Sequence, residues 1–257
     1  ITGRVSMNKT VEQALSHRTI REFTKEPVTE SELRMILDTA NHTATSNGMQ
    51  QASILRITDP AMRKDMAEVC KQEYITRCPE LFVLIVDVYR NARIAEEMGK
   101  TPESRADMDR FFQGFTDACL MAQNMTTAIE SMGMGAVYFG SILNDPKRMI
   151  EILGLPQLTF PVVGLGFGHP NQEPQLKPRM PVSLKVFENG YRVFDSYLEE
   201  IKDYDEEMQT YYDLRDANRR VDSFSNQVVT KLENVIEPRQ KILQAVRDQG
   251  FLPGLDE

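Results

Sequence analysis

Apolar and polar residues alternate along this chain in patterns that predict most of its elements. Val11, Ala14 and Leu15 form an apolar face behind a capping box at Thr10 and Gln13, which predicts a first helix running into His17-Arg18. After a break at Pro27, a second capping box (Thr29 with Glu32) precedes Leu33, Ile36, Leu37 and Ala40 at helical spacing. Residues Asn41 to Gln51 are rich in Thr, Ser, Asn and Gly and read as a loop. Ser53 to Thr58 reads as a strand closed by Asp59-Pro60, and Leu81 to Val86 as a central strand buried on both faces. From Asp109 to Met132 the series Phe112, Phe115, Ala118, Cys119, Ala122, Met125, Ile129 predicts a long helix. It carries little charge through its middle, so burial nearly all round is expected, with an end at Gly133 and Gly135. Ala136 to Phe139 reads as a strand stopped by Gly140. Asp145-Pro146 opens another helix, and Thr159 to Phe167 is a strand with glycines where side chains must be small.

Helices dominate, and strands do not alternate with them in βαβ order, which favours an α+β fold over a doubly wound sheet. Past Pro181 the character changes. Ile201 to Leu214 is acidic and aromatic, and Val228 to Val246 is amphipathic with Pro238 interrupting it. The expected division is a core over residues 7–180 and an arm over 181–257. Such a tail has apolar faces but few strands, so it must pack on the core or on a second subunit.

Composition narrows the function. The chain has 257 residues and a net charge of −8, with no long Lys/Arg run, which argues against a nucleic-acid or anionic-membrane surface. The longest apolar run is far too short to span a bilayer. With no apolar secretory segment, a cytoplasmic protein is expected, and Met7 is the expected native start. Cys70, Cys78 and Cys119 are odd in number, form no CxxC and suit a reducing compartment as packing residues or idle thiols, with a redox-active pair Cys70–Cys78 as the alternative.

Several common routes to catalysis lack their motifs. Gly164-x-Gly166-x-Gly168 is followed by His169-Pro170 where a phosphate-binding helix should begin, so it is no dinucleotide fingerprint. No Walker loop, GxSxG or HExxH is present, and the three His are not spaced as metal ligands. What stands out in an acidic chain is positive charge at two places, His17-Arg18-Thr19-Ile20-Arg21 and Lys177-Pro178-Arg179. Arg forks and Lys point charges suit a phosphate dianion, so the two clusters, if brought together, would grip a phosphorylated cofactor. Each alone is equally compatible with a solvated basic helix end or a Pro-stiffened basic loop. Thr45-Ser46-Asn47-Gly48-Met49-Gln50 offers groups for a heterocycle edge, or forms an ordinary exposed turn. Gln72 is a surface-type residue on pattern alone.

In order along the chain, these segments resemble the flavin-dependent nitroreductase superfamily, in particular its oxygen-insensitive NADPH nitroreductases and flavin reductases. The resemblance runs from Ser16 to Thr24, through Gln50 to Ile54, Met121 to Asn124, Glu130 to Gly135 and Val137 to Gly140. It continues from Phe160 to Pro170 and over Lys177 to Pro181, and so covers nearly the whole chain.

The resemblance implies a nitroreductase-like fold, a mainly antiparallel sheet flanked by helices with an extended C-terminal arm. It implies FMN at a homodimer interface, with residues 181–257 packing on the partner. His17, Arg18, Thr19 and Arg21 would line the phosphate and ribityl chain, and Lys177 and Arg179 would hold the phosphate. Thr45, Ser46, Asn47, Gln50 and Gln72 would meet the ring or ribityl chain, some across the dimer. Tyr138, Phe139, Gly140 and Ser141 would border the ring, with the Gly140 N–H at flavin N5. Arg21, at the N1–C2=O edge, would stabilise negative charge there, so Arg21 and Gly140 are the expected catalytic positions. Arg215, Arg219 and Arg239 would take the NADPH 2′-phosphate. The implied activity is ping-pong reduction of nitroaromatics, quinones or flavins. Alternatives are supply of reduced free FMN to a partner enzyme, or flavin binding without turnover. The sequence departs from its relatives at Asn47-Gly48, where an aromatic often follows serines, and at Gly140-Ser141, where Gly-Gly is usual.

Overall fold

A computed structural model describes residues 7–213 and 219–251. The helix α1 (Lys9–Leu15) begins two residues earlier than expected. Asn8 is its N-cap, accepting from the Val11 amide at 3.0 Å, so Thr10 lies inside the helix and His17 beyond its end. The capping box at Thr29 and Glu32 forms as predicted and starts α2 (Glu30–Asn41). Strand β1 (Ala52–Arg56) leads to α3 (Pro60–Cys70), where Asp59 caps from outside and Pro60 takes the first turn. Asp59-Pro60 thus opens a helix as well as closing a strand, because Pro lacks only an N–H that a helix start leaves unpaired anyway.

Strand β2 (Glu80–Asp87) is followed by α4 (Tyr89–Glu97), the long α5 (Met108–Ser131), β3 (Gly135–Phe139), α6 (Pro146–Leu153) and β4 (Thr159–Gly168). The sheet is antiparallel throughout, in the order β1-β2-β4-β3. Leu81 to Val86 are buried on both faces, as the unbroken apolar run predicts. Pro161 sits inside β4 without a ladder N–H, and the register against β2 slips there, between Leu84 and Ile85. Gly166 is required by packing: a Cβ would lie 2.7 Å from Cys78 Sγ and 2.9 Å from the Phe139 ring. Cys70 and Cys78 are free, buried packing thiols, and Cys119 is exposed.

The helix α5 departs from the expectation of all-round burial. Phe111, Ala118, Met125 and Ile129 face the core, but Phe112 is 61 % and Leu120 47 % exposed. Periodicity reports an apolar stripe without reporting what covers it.

Two compact units are present. The first comprises the chain to Gln172 together with residues from Ile236 on; the second is Glu173–Val235. The second contains α7 (Tyr197–Glu200), α8 (Lys202–Thr210), a two-residue pairing of β5 (Tyr212–Asp213) with β6 (Arg219–Arg220), and α9 (Phe224–Glu233). Tyr204 of α8 packs on Phe224 of α9, and Asp205 accepts from the Ser225 amide and hydroxyl, so α9 is capped by its neighbour. The chain then rejoins the first unit through α10 (Glu237–Gln240), with Pro238 in its first turn, and α11 (Ile242–Asp248). Ala245, Val246 and Phe251 enter the main core, where the Phe251 ring meets Phe111 of α5 at 5.1 Å. Among the described residues, no helix is long and apolar enough to cross a membrane.

Candidate functional site

The strand β3, at the sheet edge, organises most of the expected site residues of the first unit. Thr19 bridges Ala136, and the Ile20 amide donates to the Ala136 carbonyl at 3.0 Å, so the segment around His17 to Arg21 runs beside β3. Ile20 is buried over Gly135, where a Cβ would come within 2.3 Å of it. In an extended segment Thr19 and Arg21 then face the opposite way. The chain crosses next to the end of β4, with the Thr24 amide donating to the His169 carbonyl at 2.9 Å. Gln172 Oε1 accepts from the Arg21 amide at 2.5 Å and from the Glu22 amide at 3.0 Å. The backbone at Arg21 is therefore fastened from two sides.

His17 Nδ1 donates to the buried carboxylate of Glu130, at the C-terminal end of α5. That contact orients the imidazole and leaves Nε2 for a ligand. Arg18 donates from Nη1 to the Ser16 carbonyl at 3.2 Å, while its Nε is buried with no hydrogen-bond partner among the described residues. A donor stranded in this way costs about 1–3 kcal/mol, which an anionic ligand would relieve.

The far end of β3, about 13 Å on at the usual strand rise, carries a second group. The Tyr138 hydroxyl lies 2.6 Å from Thr126 Oγ1 and donates to the Ala122 carbonyl at 3.0 Å, which pins the ring along α5. Burial pushes the phenol's pKa up, partly offset by the Thr126 contact, so it stays neutral. The Phe139 ring is spent in the core against Gly164 and Gly166, which leaves only its backbone for a ligand. Gly140 begins a 3₁₀ turn (Gly140–Asn144), and the space a Cβ would take is empty out to 4 Å. Ser141 Oγ donates to Gln72 Oε1 at 2.9 Å, which brings Gln72 to this group. Arg239 Nη1 donates to the Gly140 carbonyl at 3.0 Å, so Arg239 also stands here.

The loop with Thr45, Ser46, Asn47 and Gln50 stands apart from the His17 end. Asp117 of α5, fully buried, accepts from the Ser46 amide at 2.7 Å and the Gln51 amide at 3.1 Å. Asn47, Gly48 and Gln50 all take positive φ, so the loop is sharply coiled. Asp117 and Glu130 lie on one helix, about 20 Å apart at 1.5 Å per residue. One chain therefore does not bring this loop to His17. In the second unit Lys177 and Arg179 are exposed, and Arg179 Nη1 donates to the Lys177 carbonyl at 2.9 Å. Arg219 pairs with Asp213 through the backbone, and Arg215 lies outside the described residues.

Pattern reading assigned no role to Glu130, Asp117 or Gln172. The two acids did leave a signal, since each interrupts the buried stripe of α5, where an acid needs a dedicated partner. Gln172 left none.

The nitroreductase family matches residues 14–169, and the nitroreductase family C-terminal domain matches residues 177–253. The chain is 36 % identical to the NADPH-flavin oxidoreductase of Vibrio harveyi, over 95 % of this chain and 99 % of that one. It is likewise 36 % identical to the oxygen-insensitive NADPH nitroreductase of Salmonella typhimurium, with the same coverage. The solved structure of the Vibrio harveyi NADPH:FMN oxidoreductase complexed with NAD+ superposes with a TM-score of 0.83, at 34 % identity, covering 95 % of this chain and 99 % of that one. With two family models matched in tandem and the same fold in a solved relative, the chain belongs to the nitroreductase family.

Proposed function

We propose that this protein is an FMN-dependent NADPH oxidoreductase that reduces nitroaromatics, quinones or flavins in a ping-pong cycle. The observation that carries the reading is full-length likeness to relatives named for NADPH-linked flavin and nitro reduction. The residues present fit FMN on two counts. Arg18 Nε is buried and lacks an acceptor among the described residues, and Gly140 leaves open space at the end of β3. FMN, when bound, supplies the two-electron redox chemistry.

In this reading His17, Arg18, Thr19 and Arg21 bind along the phosphate and ribityl chain, with His17 aimed by Glu130. Lys177 and Arg179 add positive charge for the phosphate. Arg21, its backbone fastened by Gln172, presents a permanent cation to the edge where negative charge grows. Gly140 admits close approach of its backbone N–H, and Tyr138, held by Thr126 and Ala122, offers a fixed ring wall. Ser141 and Gln72 border the same end of β3. Thr45, Ser46, Asn47 and Gln50 serve the neighbouring copy of a homodimer, since their own His17 lies far along α5. Exposed Phe112 and Leu120 supply apolar surface for that association. Arg215 and Arg219 are assigned to the NADPH 2′-phosphate. We place the protein in the cytoplasm, where free buried thiols persist.

The test is direct. Purified protein should be yellow, bleach with NADPH and recolour when a quinone is added. Colour that NADPH does not bleach would favour flavin storage, and a colourless protein that ignores added FMN would sink the reading. Release of reduced FMN to solution during turnover would favour the flavin-supplying alternative.

A further inference from the structure

Arg239 was expected to grip the nucleotide phosphate, yet its guanidinium is engaged elsewhere. Nη1 donates to the Gly140 carbonyl at 3.0 Å and reaches Asn144 Oδ1 at 3.4 Å. It thus touches the first and last residues of the Gly140–Asn144 turn. The rest of that turn is anchored independently: Ile142 and Leu143 are buried, and Ser141 bonds to Gln72. Gly140 has no side chain to anchor and nothing packed where one would be. Left to itself, a glycine samples more backbone conformations than any other residue.

We propose that Arg239 is a positioning residue, which aims the Gly140–Ser141 peptide at the cofactor space by holding the Gly140 carbonyl. A peptide is planar and trans, so its C=O and N–H point in opposite directions. A donor that fixes the Gly140 carbonyl therefore fixes the direction of the Ser141 N–H. A cationic donor also polarises that peptide and strengthens its N–H as a donor on the far side. The consequence for the bound cofactor rests on the proposed FMN reading; the latch itself does not. Because Arg239 lies on α10, the segment that returns to the first unit sets the geometry of a turn made a hundred residues earlier.

Arg239→Gln and Arg239→Lys test this, and both sit at an exposed position that should fold. In the apo-protein, amide hydrogen exchange over Ser141 to Asn144 should speed up in Arg239→Gln and return toward the parent rate in Arg239→Lys. With FMN bound, Arg239→Gln should shift the midpoint potential to more negative values. Reduction by NADPH and by NADH should slow together, on the order of tenfold, with their ratio unchanged. A loss confined to NADPH, with exchange and potential at parent values, would make Arg239 a phosphate grip and overturn the proposal. Parent-like exchange in Arg239→Gln overturns it as well, whatever the activity. A parent protein that takes up no FMN overturns the proposed function instead, and the exchange comparison still decides the latch.

Discussion

A carboxylate without access to water needs N–H donors, and Asp117 finds two of them on one loop, at Ser46 and Gln51. Asp117→Ala strands both amides, at about 1–3 kcal/mol for each fully buried donor, so chemical denaturation should show a loss of at least about 2 kcal/mol. Asp117→Asn keeps one acceptor and should lose roughly half as much. Cys78 supplies a pH test. Burial pushes its thiol up to about 12, from an ordinary 9.0, with Arg63 and Arg77 pulling weakly the other way. Above pH 9 the unfolded chain releases this proton while the folded chain keeps it, so stability falls as pH rises from 9 toward 12. The slope is at most about 1.4 kcal/mol per pH unit for this thiol, and Cys78→Ala should flatten it in urea melts at pH 8 and pH 10. At this scale the basic clusters were legible because charge is conspicuous in an acidic chain. The partners that aim them, Glu130 and Gln172, come from residues far away in sequence, and no local pattern announces a long-range contact.

Elements were easier to read than their partners. The capping box at Thr29 and the Asp145-Pro146 start appear where local chemistry puts them, because those bonds close within one turn. The Thr10 box failed for the same local reason: Asn8 is an equally good cap two residues earlier and wins the Val11 amide. The stripe of α5 marked the helix but not its exposed face at Phe112 and Leu120. For α11 the apolar pattern left docking open between core and partner, and the resemblance implied the partner. It is settled by Phe251 against Phe111, and by Gln249 Nε2 donating to the Pro156 and Thr159 carbonyls at 2.8 and 2.9 Å. Phe251→Ala should therefore cost about 3–5 kcal/mol in equilibrium unfolding, as a fully buried ring does. A loss below about 1 kcal/mol would mean that the C-terminal turn is not part of the core.

For the whole molecule, the α+β class followed from the absence of βαβ alternation, and the antiparallel sheet agrees with it. The proposed homodimer is tested at this scale. Sedimentation should report a dimer, and Leu120→Glu, which puts a charge on an exposed apolar face, should shift it toward monomer and lower FMN retention together. A dimer unaffected by that change would locate the interface elsewhere. The return of α11 to the first unit has a consequence for synthesis. Phe111 and Phe160, the rings that Phe251 completes, are made long before it. On the ribosome the nascent chain should hold a sheet and a long helix with an open seat between them, and that apolar seat should stay exposed until Phe251 emerges. Chains that stall after α9 should therefore be the aggregation-prone species, and chaperones should bind them longer than they bind the finished protein.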